Sequence, residues 1–150
     1  MLRWLNRSLI VAASLVCSAT SFEAAAQSPG DWRPTNLEIY QLPRFCWKQF
    51  GVPNVDGPEF TIQNCGPYMN HYCFGLTYLL RAKKYTGKGK PVGELQRAAH
   101  DIYGAEAAIK DYPQCSIRQH IADTRAEVDH LLRMYGAKPP PTAAGAAGRP

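Results

Sequence analysis

The sequence predicts an all-α protein: a small helical-hairpin bundle stapled by two disulfides, with irregular segments at both ends. Three observations carry that prediction. Apolar residues recur at spacings of three and four in three segments, which is the helical period. No segment long enough for a substantial sheet alternates apolar with polar residues. Four cysteines remain once an N-terminal export signal is set aside, and an even number in a small exported chain reads as a disulfide framework.

The chain opens with the three-part pattern of a cleavable export signal, expected over residues 1–26. Arg3 and Arg7 form a positive start, residues 9–19 are apolar or small, and Ala24, Ala25 and Ala26 supply the small residues of a cleavage site. A transmembrane anchor needs about 20 apolar residues, and this run is half that. Cys17 follows Val16 rather than a small residue, so it reads as a small hydrophobe of the signal and not as a lipid attachment site. The implied setting is periplasmic or secreted, with no transmembrane anchor after processing. The whole chain carries a net charge of +5, and removing Arg3, Arg7 and Glu23 leaves +4. That balance favours anionic partners weakly and does not imply nucleic acid.

The elements follow in order. Residues 27–36, with Pro29, Gly30 and Pro34, read as a loose leader in which Trp32 can dock. A single helical domain is expected over 37–136, large enough for one core but marginal without cross-links. A short helix is expected at 42–50, with Leu42, Phe45 and Cys46 at helical spacing, Pro43 in the first turn, and Gly51 and Pro53 ending it. Residues 54–67 read as a loop with a brief extended piece at 60–62. Residues 69–84 form a strong helix in which Met69, Tyr72, Cys73, Leu76, Leu79, Leu80 and Lys83 share a stripe. A Gly- and Lys-containing loop leads to a second helix at 94–112, striped by Leu95, Ala98, Ala99, Ile102, Ala105, Ile109 and Tyr112 and stopped by Pro113. Ser116 is the expected N-cap of a last helix lined by Ile117, Ile121, Thr124, Val128, Leu131 and Leu132, with Gly136 closing it. The Pro, Ala and Gly residues of 137–150 read as a flexible tail.

The helix order suggests the cysteine pairing. Cys65 precedes the first long helix and Cys115 follows the second. In an antiparallel hairpin those ends meet, so Cys65–Cys115 is expected, leaving Cys46 to pair with Cys73. No two cysteines have the short spacing of a zinc site.

Phe74-Gly75 followed by Tyr78 resembles the first-helix signature of a tetratricopeptide repeat, and Ala108-Ile109 with Pro113 resembles the end of that repeat's second helix. The resemblance implies a helix-turn-helix unit in which Gly75 lets the second helix come close, capped by the final helix. His71 stands where that signature opens with a large aromatic residue, and no second full copy occurs. The stretch CGPYMNHYCFGL is also similar to segments of small exported bacterial proteins.

Chemistry candidates are few. Met69 and His71 offer thioether and imidazole for a soft metal, although the ligand number is short. His120 and His130, with Asp123 and Asp129, stand about 80° apart on a helix and read as surface residues. Arg81, Lys83, Lys84, Lys88, Lys90 and Arg97 build a basic end on the hairpin that can face an anionic surface. No nucleophile elbow or phosphate loop is present, so no enzyme and no cofactor are expected. The sequence therefore points to an exported helical interaction module of the cell envelope, whose partner is a protein or an anionic envelope component. The alternative is a soft-metal or small-ligand binding protein centred on Met69 and His71.

Overall fold

The computed structural model describes residues 32–67, 69–87, 89 and 91–140; the expected signal, half of the leader, most of the tail, Lys88 and Lys90 lie outside the described residues. The described residues are helical and contain no strand. A single-turn helix α1 (Asn36–Ile39) leads through two short 3-10 turns (Arg44–Cys46 and Pro58–Phe60) to three long helices, α2 (Asn70–Lys83), α3 (Val92–Ala108) and α4 (Arg118–Met134). No helix among the described residues is long and apolar enough to cross a membrane.

The long helices form an up-down-up bundle because each carries one apolar stripe. Met69, Tyr72, Cys73, Leu76 and Leu79 of the first stripe are buried, as are Leu95, Ala98, Ala99, Ile102, Ala105 and Ile109 of the second. Ile117, Ile121, Thr124, Val128 and Leu132 complete the core. The predicted stripes are therefore the buried ones, apart from Leu80 and Leu131, which are half-buried, and Lys83 and Tyr112, which are exposed. Tyr78 lies beside Arg97 and Gly75 beside Asp101, so α2 and α3 run antiparallel. Arg125 on α4 reaches back to Tyr103 and Glu106, turning α4 antiparallel to α3.

Gly75 sets the spacing of the hairpin. A Cβ built there would lie 3.0 Å from Ile102 Cγ1, 3.1 Å from Asp101 Cβ and 3.3 Å from the Ala98 carbonyl oxygen. One of those neighbours is backbone, so the helices themselves must separate to admit a methyl group. Gly75→Ala is expected to cost about 2 kcal/mol despite its better helix propensity. Denaturant unfolding measures it, and unchanged or higher stability would contradict the close approach.

Both expected disulfides are present. Cys46–Cys73 joins the 3-10 turn to α2 with a Cα separation of 5.6 Å, and Cys65–Cys115 joins the two ends of the hairpin at 4.3 Å. Four oxidised cysteines point to an oxidising, non-cytoplasmic setting.

Four local expectations are corrected. The segment 42–50 is not an α-helix. Its amides bond mainly three residues back (Cys46 to Pro43, Trp47 to Arg44), and a piece this short between prolines has no room for α-helical nucleation. Ser116 does not cap α4. Its amide donates to the Gln63 carbonyl and its hydroxyl accepts from the Gln63 amide, both at 3.0 Å, fastening the loop alongside Cys65–Cys115. The second long helix stops at Ala108, four residues early, where Arg118 Nη2 donates to the carbonyls of Ile109 (2.5 Å) and Tyr112 (2.9 Å). Pro113 also drives Tyr112 out of helical geometry.

The fourth correction concerns the leader, whose residues from 32 onward are docked rather than loose. Thr35 and Glu38 form a capping box on α1, the hydroxyl accepting from the Glu38 amide at 3.1 Å and the carboxylate from the Thr35 amide at 2.7 Å. Arg81 then grips Glu38 with two nitrogens, at 2.7 and 3.0 Å, and donates to the Arg33 carbonyl at 2.9 Å. Trp32 packs edge-on against Phe74 with ring centres 5.6 Å apart.

Candidate functional site: a groove along the hairpin

The buried stripe of α3 leaves a second stripe facing outward, made of Gly93, Gln96, Arg97, His100, Asp101, Gly104 and Ala108. Those positions recur at spacings of three and four, so they form one continuous line on the helix. Together with Tyr78 and His71 of α2 they edge a groove made of two adjoining cavities. The larger, about 680 Å³, lies between Tyr78 and the Gly93, Gln96 and Arg97 positions, with Pro140 against it. The smaller, about 250 Å³, is lined by His71, Gly104 and Ala108. His100 and Asp101 line both, so the two lie side by side.

Asp101 anchors the middle of the groove. It is held at the closest approach of the helices, beside Gly75, and its side chain is only 14% exposed. His100 Nδ1 lies 3.2 Å and His71 Nδ1 3.9 Å from the same carboxylate oxygen, Oδ1. Both imidazoles are exposed at their outer edges. Arg97 stands 3.6 Å from Glu94 and lies over the Tyr78 ring at 5.8 Å.

Two helical glycines open the groove. A Cβ at Gly93 or Gly104 would meet no heavy atom within 4 Å. Nothing in the bundle therefore requires Gly104, although glycine inside a helix costs about 1 kcal/mol relative to alanine. Gly104→Ala is expected to stabilise the fold by up to about 1 kcal/mol, the opposite sign to Gly75→Ala. Thermal unfolding of the two variants side by side checks the contrast.

The sequence-level candidates separate. Met69 is buried in the core while His71 is exposed on α2, so the two do not converge. Among the described residues, no three His, Cys, Asp or Glu side chains are grouped to hold a metal ion. Of the basic residues, Arg81 is committed to Glu38, Lys83 pairs with Glu127 at 2.7 Å, Lys84 donates to Gln41, and Arg97 faces Glu94. Sequence reasoning did not single out His100, Asp101, Gln96 or Gly104. The available signal was glycine at positions 93 and 104 of a helix that would be more stable with alanine there.

His120 is not the surface residue expected of it. Tyr72, wholly buried on α2, brings its hydroxyl within 2.5 Å of His120 Nδ1 and 2.9 Å of Thr124 Oγ1, while Thr124 donates to the His120 carbonyl at 2.7 Å. Phe45 stands edge-on to the imidazole at 5.3 Å. A cavity of about 190 Å³ beneath Gln41, Leu42 and Pro43 adjoins this cluster, with Lys83 and Glu127 at its edge. Burial pushes His120 below the ordinary imidazole pKa, against an opposing pull from Asp123, and burial pushes the Tyr72 phenol well up. His130, by contrast, is exposed.

A lowered imidazole pKa means that the unfolded chain binds the proton first. Stability is then fully present above the unfolded value of 6.5 and falls as pH drops through it toward the folded value. Glu38 acts in a lower window. Burial alone would raise its pKa, but hydrogen bonds from Arg81 and Thr35 bring it below 4.5, so its contribution is lost only as pH falls further. Denaturant melts between about pH 7.5 and about pH 5.5 should show declining stability, and His120→Gln should flatten that slope. An unchanged slope in the variant would contradict the assignment to His120.

No protein-family model, no curated protein and no solved structure matches this chain, so the groove is read from its own geometry.

Proposed function

We propose that the protein is an exported helical interaction module of the cell envelope that seats a partner protein in the groove between α2 and α3. The observation that carries this reading is the line of two neighbouring cavities that share His100 and Asp101, on a hairpin whose ends are cross-linked. A surface fixed in that way loses little conformational entropy when a partner binds. A protein partner is favoured over an anionic surface because Arg81, Lys83 and Lys84, three of the four described basic residues at that end, are engaged within the molecule. The smaller cavity beside His71 favours a second reading, a small ligand held at Asp101.

Export rests on the Arg3 and Arg7 start, the apolar run and the Ala24–Ala26 site, in keeping with the oxidised cysteines. N-terminal sequencing of protein from its host should begin at Gln27, and intact Met1 in the envelope fraction would contradict processing. For the groove, a photo-crosslinking residue at His100 should give a discrete protein adduct in the native envelope. The same residue at Gln119, exposed on α4, should not. Equal adducts at both positions, or none at either, would overturn the reading.

A further inference from the structure

The groove is lined by side chains able to donate hydrogen bonds, of which Arg97 can only donate. Gln96, Arg97, His100 and the Tyr78 hydroxyl can all donate, whereas Asp101 is the one carboxylate lining it among the described residues. Its edges carry three rings, those of Tyr78, His100 and His71, and its floor is opened by glycine at 93 and 104. Donors beside rings suit a strand that offers carbonyl oxygens but few N–H groups. A proline-rich strand in the polyproline II conformation is that kind of strand: its prolines lack the amide hydrogen, its carbonyls point outward, and its rings pack on aromatic faces.

The molecule already places proline in the groove. After α4 the Ala137 amide donates to the Leu132 carbonyl at 2.9 Å, and the irregular segment that follows brings Pro140 to line the same cavity as Tyr78, Arg97 and His100. From Gly93 to Ala108 the groove follows α3 for about 22 Å, which accommodates about seven residues of polyproline II.

We propose that the groove between α2 and α3 is a docking site for a proline-rich, extended segment of the partner protein, with Pro140 marking the position of one ring. This rests on the interaction-module reading and names the partner's chemistry. The rings of Tyr78 and His100 flank the strand, Gln96 and Arg97 donate to its carbonyls, and Gly104 leaves room for its backbone.

The test uses the processed full-length protein and a labelled peptide of three Ala-Pro-Pro units, with an Ala-Gly-Gly counterpart as the control. Fluorescence anisotropy should show saturable binding of the proline peptide alone. Gly104→Leu, which fills the floor from a position open to solvent, and His100→Ala, at an exposed side chain, should each weaken binding about tenfold while leaving the helical circular dichroism unchanged. Pro139→Ala with Pro140→Ala should strengthen binding by removing a competing ring. Equal binding of both peptides, affinity unaffected by Gly104→Leu, or no binding at all would overturn the proposal. So would binding shared with polyglutamate and abolished by salt, which would assign the groove to anionic polymers. If the peptide fails while crosslinking at His100 still gives its specific adduct, this inference falls and the interaction reading stands. If both fail, both fall.

Discussion

Replacing Cys65 and Cys115 together with serine is expected to lower the unfolding free energy by about 4 kcal/mol, following the chain-entropy cost of a loop of this length. The two residues are 50 apart in sequence, the longer of the two separations closed by disulfides here. The loop they close contains the whole hairpin, so the unfolded chain gains the most freedom when this bridge is lost. For a small domain whose total stability is about 5–15 kcal/mol, that loss leaves a thin margin. The paired hydrogen bonds between Gln63 and Ser116 remain, but they span the same junction and do not restrict the unfolded state. Removing Cys46–Cys73, with a separation of 27, should cost less and act mainly on the N-terminal arm. There Arg81, Glu38 and Trp32 still hold part of the contact. Urea unfolding of both variants, read by circular dichroism and by tryptophan fluorescence, separates these outcomes. Equal losses, or a larger loss for Cys46–Cys73, would contradict the account.

Tyr72→Ala should be as damaging, at about 4 kcal/mol, because it removes a large, fully buried ring from the centre of the bundle. That ring stacks on Phe45 at 6.4 Å and carries the hydroxyl that links α2 to α4. Tyr72→Phe keeps the ring and deletes the hydroxyl. It should cost about 1.5 kcal/mol, because His120 Nδ1 and Thr124 lose a partner in a half-buried place. The ratio of the two losses divides packing from hydrogen bonding. A Tyr72→Phe loss equal to that of Tyr72→Ala would mean that the polar cluster, rather than the ring, holds α4 in place.

What the sequence revealed follows from which forces are periodic. Met69, Tyr72, Cys73, Leu76 and Leu79 announce α2 because core packing repeats with the helix turn, and the same holds for α3 and α4. The disulfide pairing followed from those helices, since a hairpin brings Cys65 and Cys115 to one end. Gly75 was marked by a resemblance that implied close helix contact, and its neighbours stand at contact distance.

The missed features depend on groups far apart in the chain. Arg81 looked like part of a basic patch because its partner Glu38 lies 43 residues away. His120 looked like a surface residue because the hydroxyl that occupies it comes from Tyr72, 48 positions earlier. Ser116 had the residue type of a helix cap but found a stronger pairing with Gln63 across the disulfide junction. The groove was hidden for a related reason. Gly93 and Gly104 read as minor defects in a helix until α2 lies beside it, and only then do they become an open floor between Tyr78 and His71.

Every part of this account depends on the two bridges that hold the hairpin and its groove in one shape, and disulfide mapping tests them directly. No Lys or Arg lies between Cys65 and Cys73, so trypsin alone leaves both in one peptide; cyanogen bromide cleavage after Met69 must separate them first. Non-reducing mass spectrometry of the double digest should then show Cys46 joined to Cys73 and Cys65 joined to Cys115. Cys65 joined to Cys73, or four free thiols in protein taken from its native compartment, would contradict the arrangement on which the groove is built.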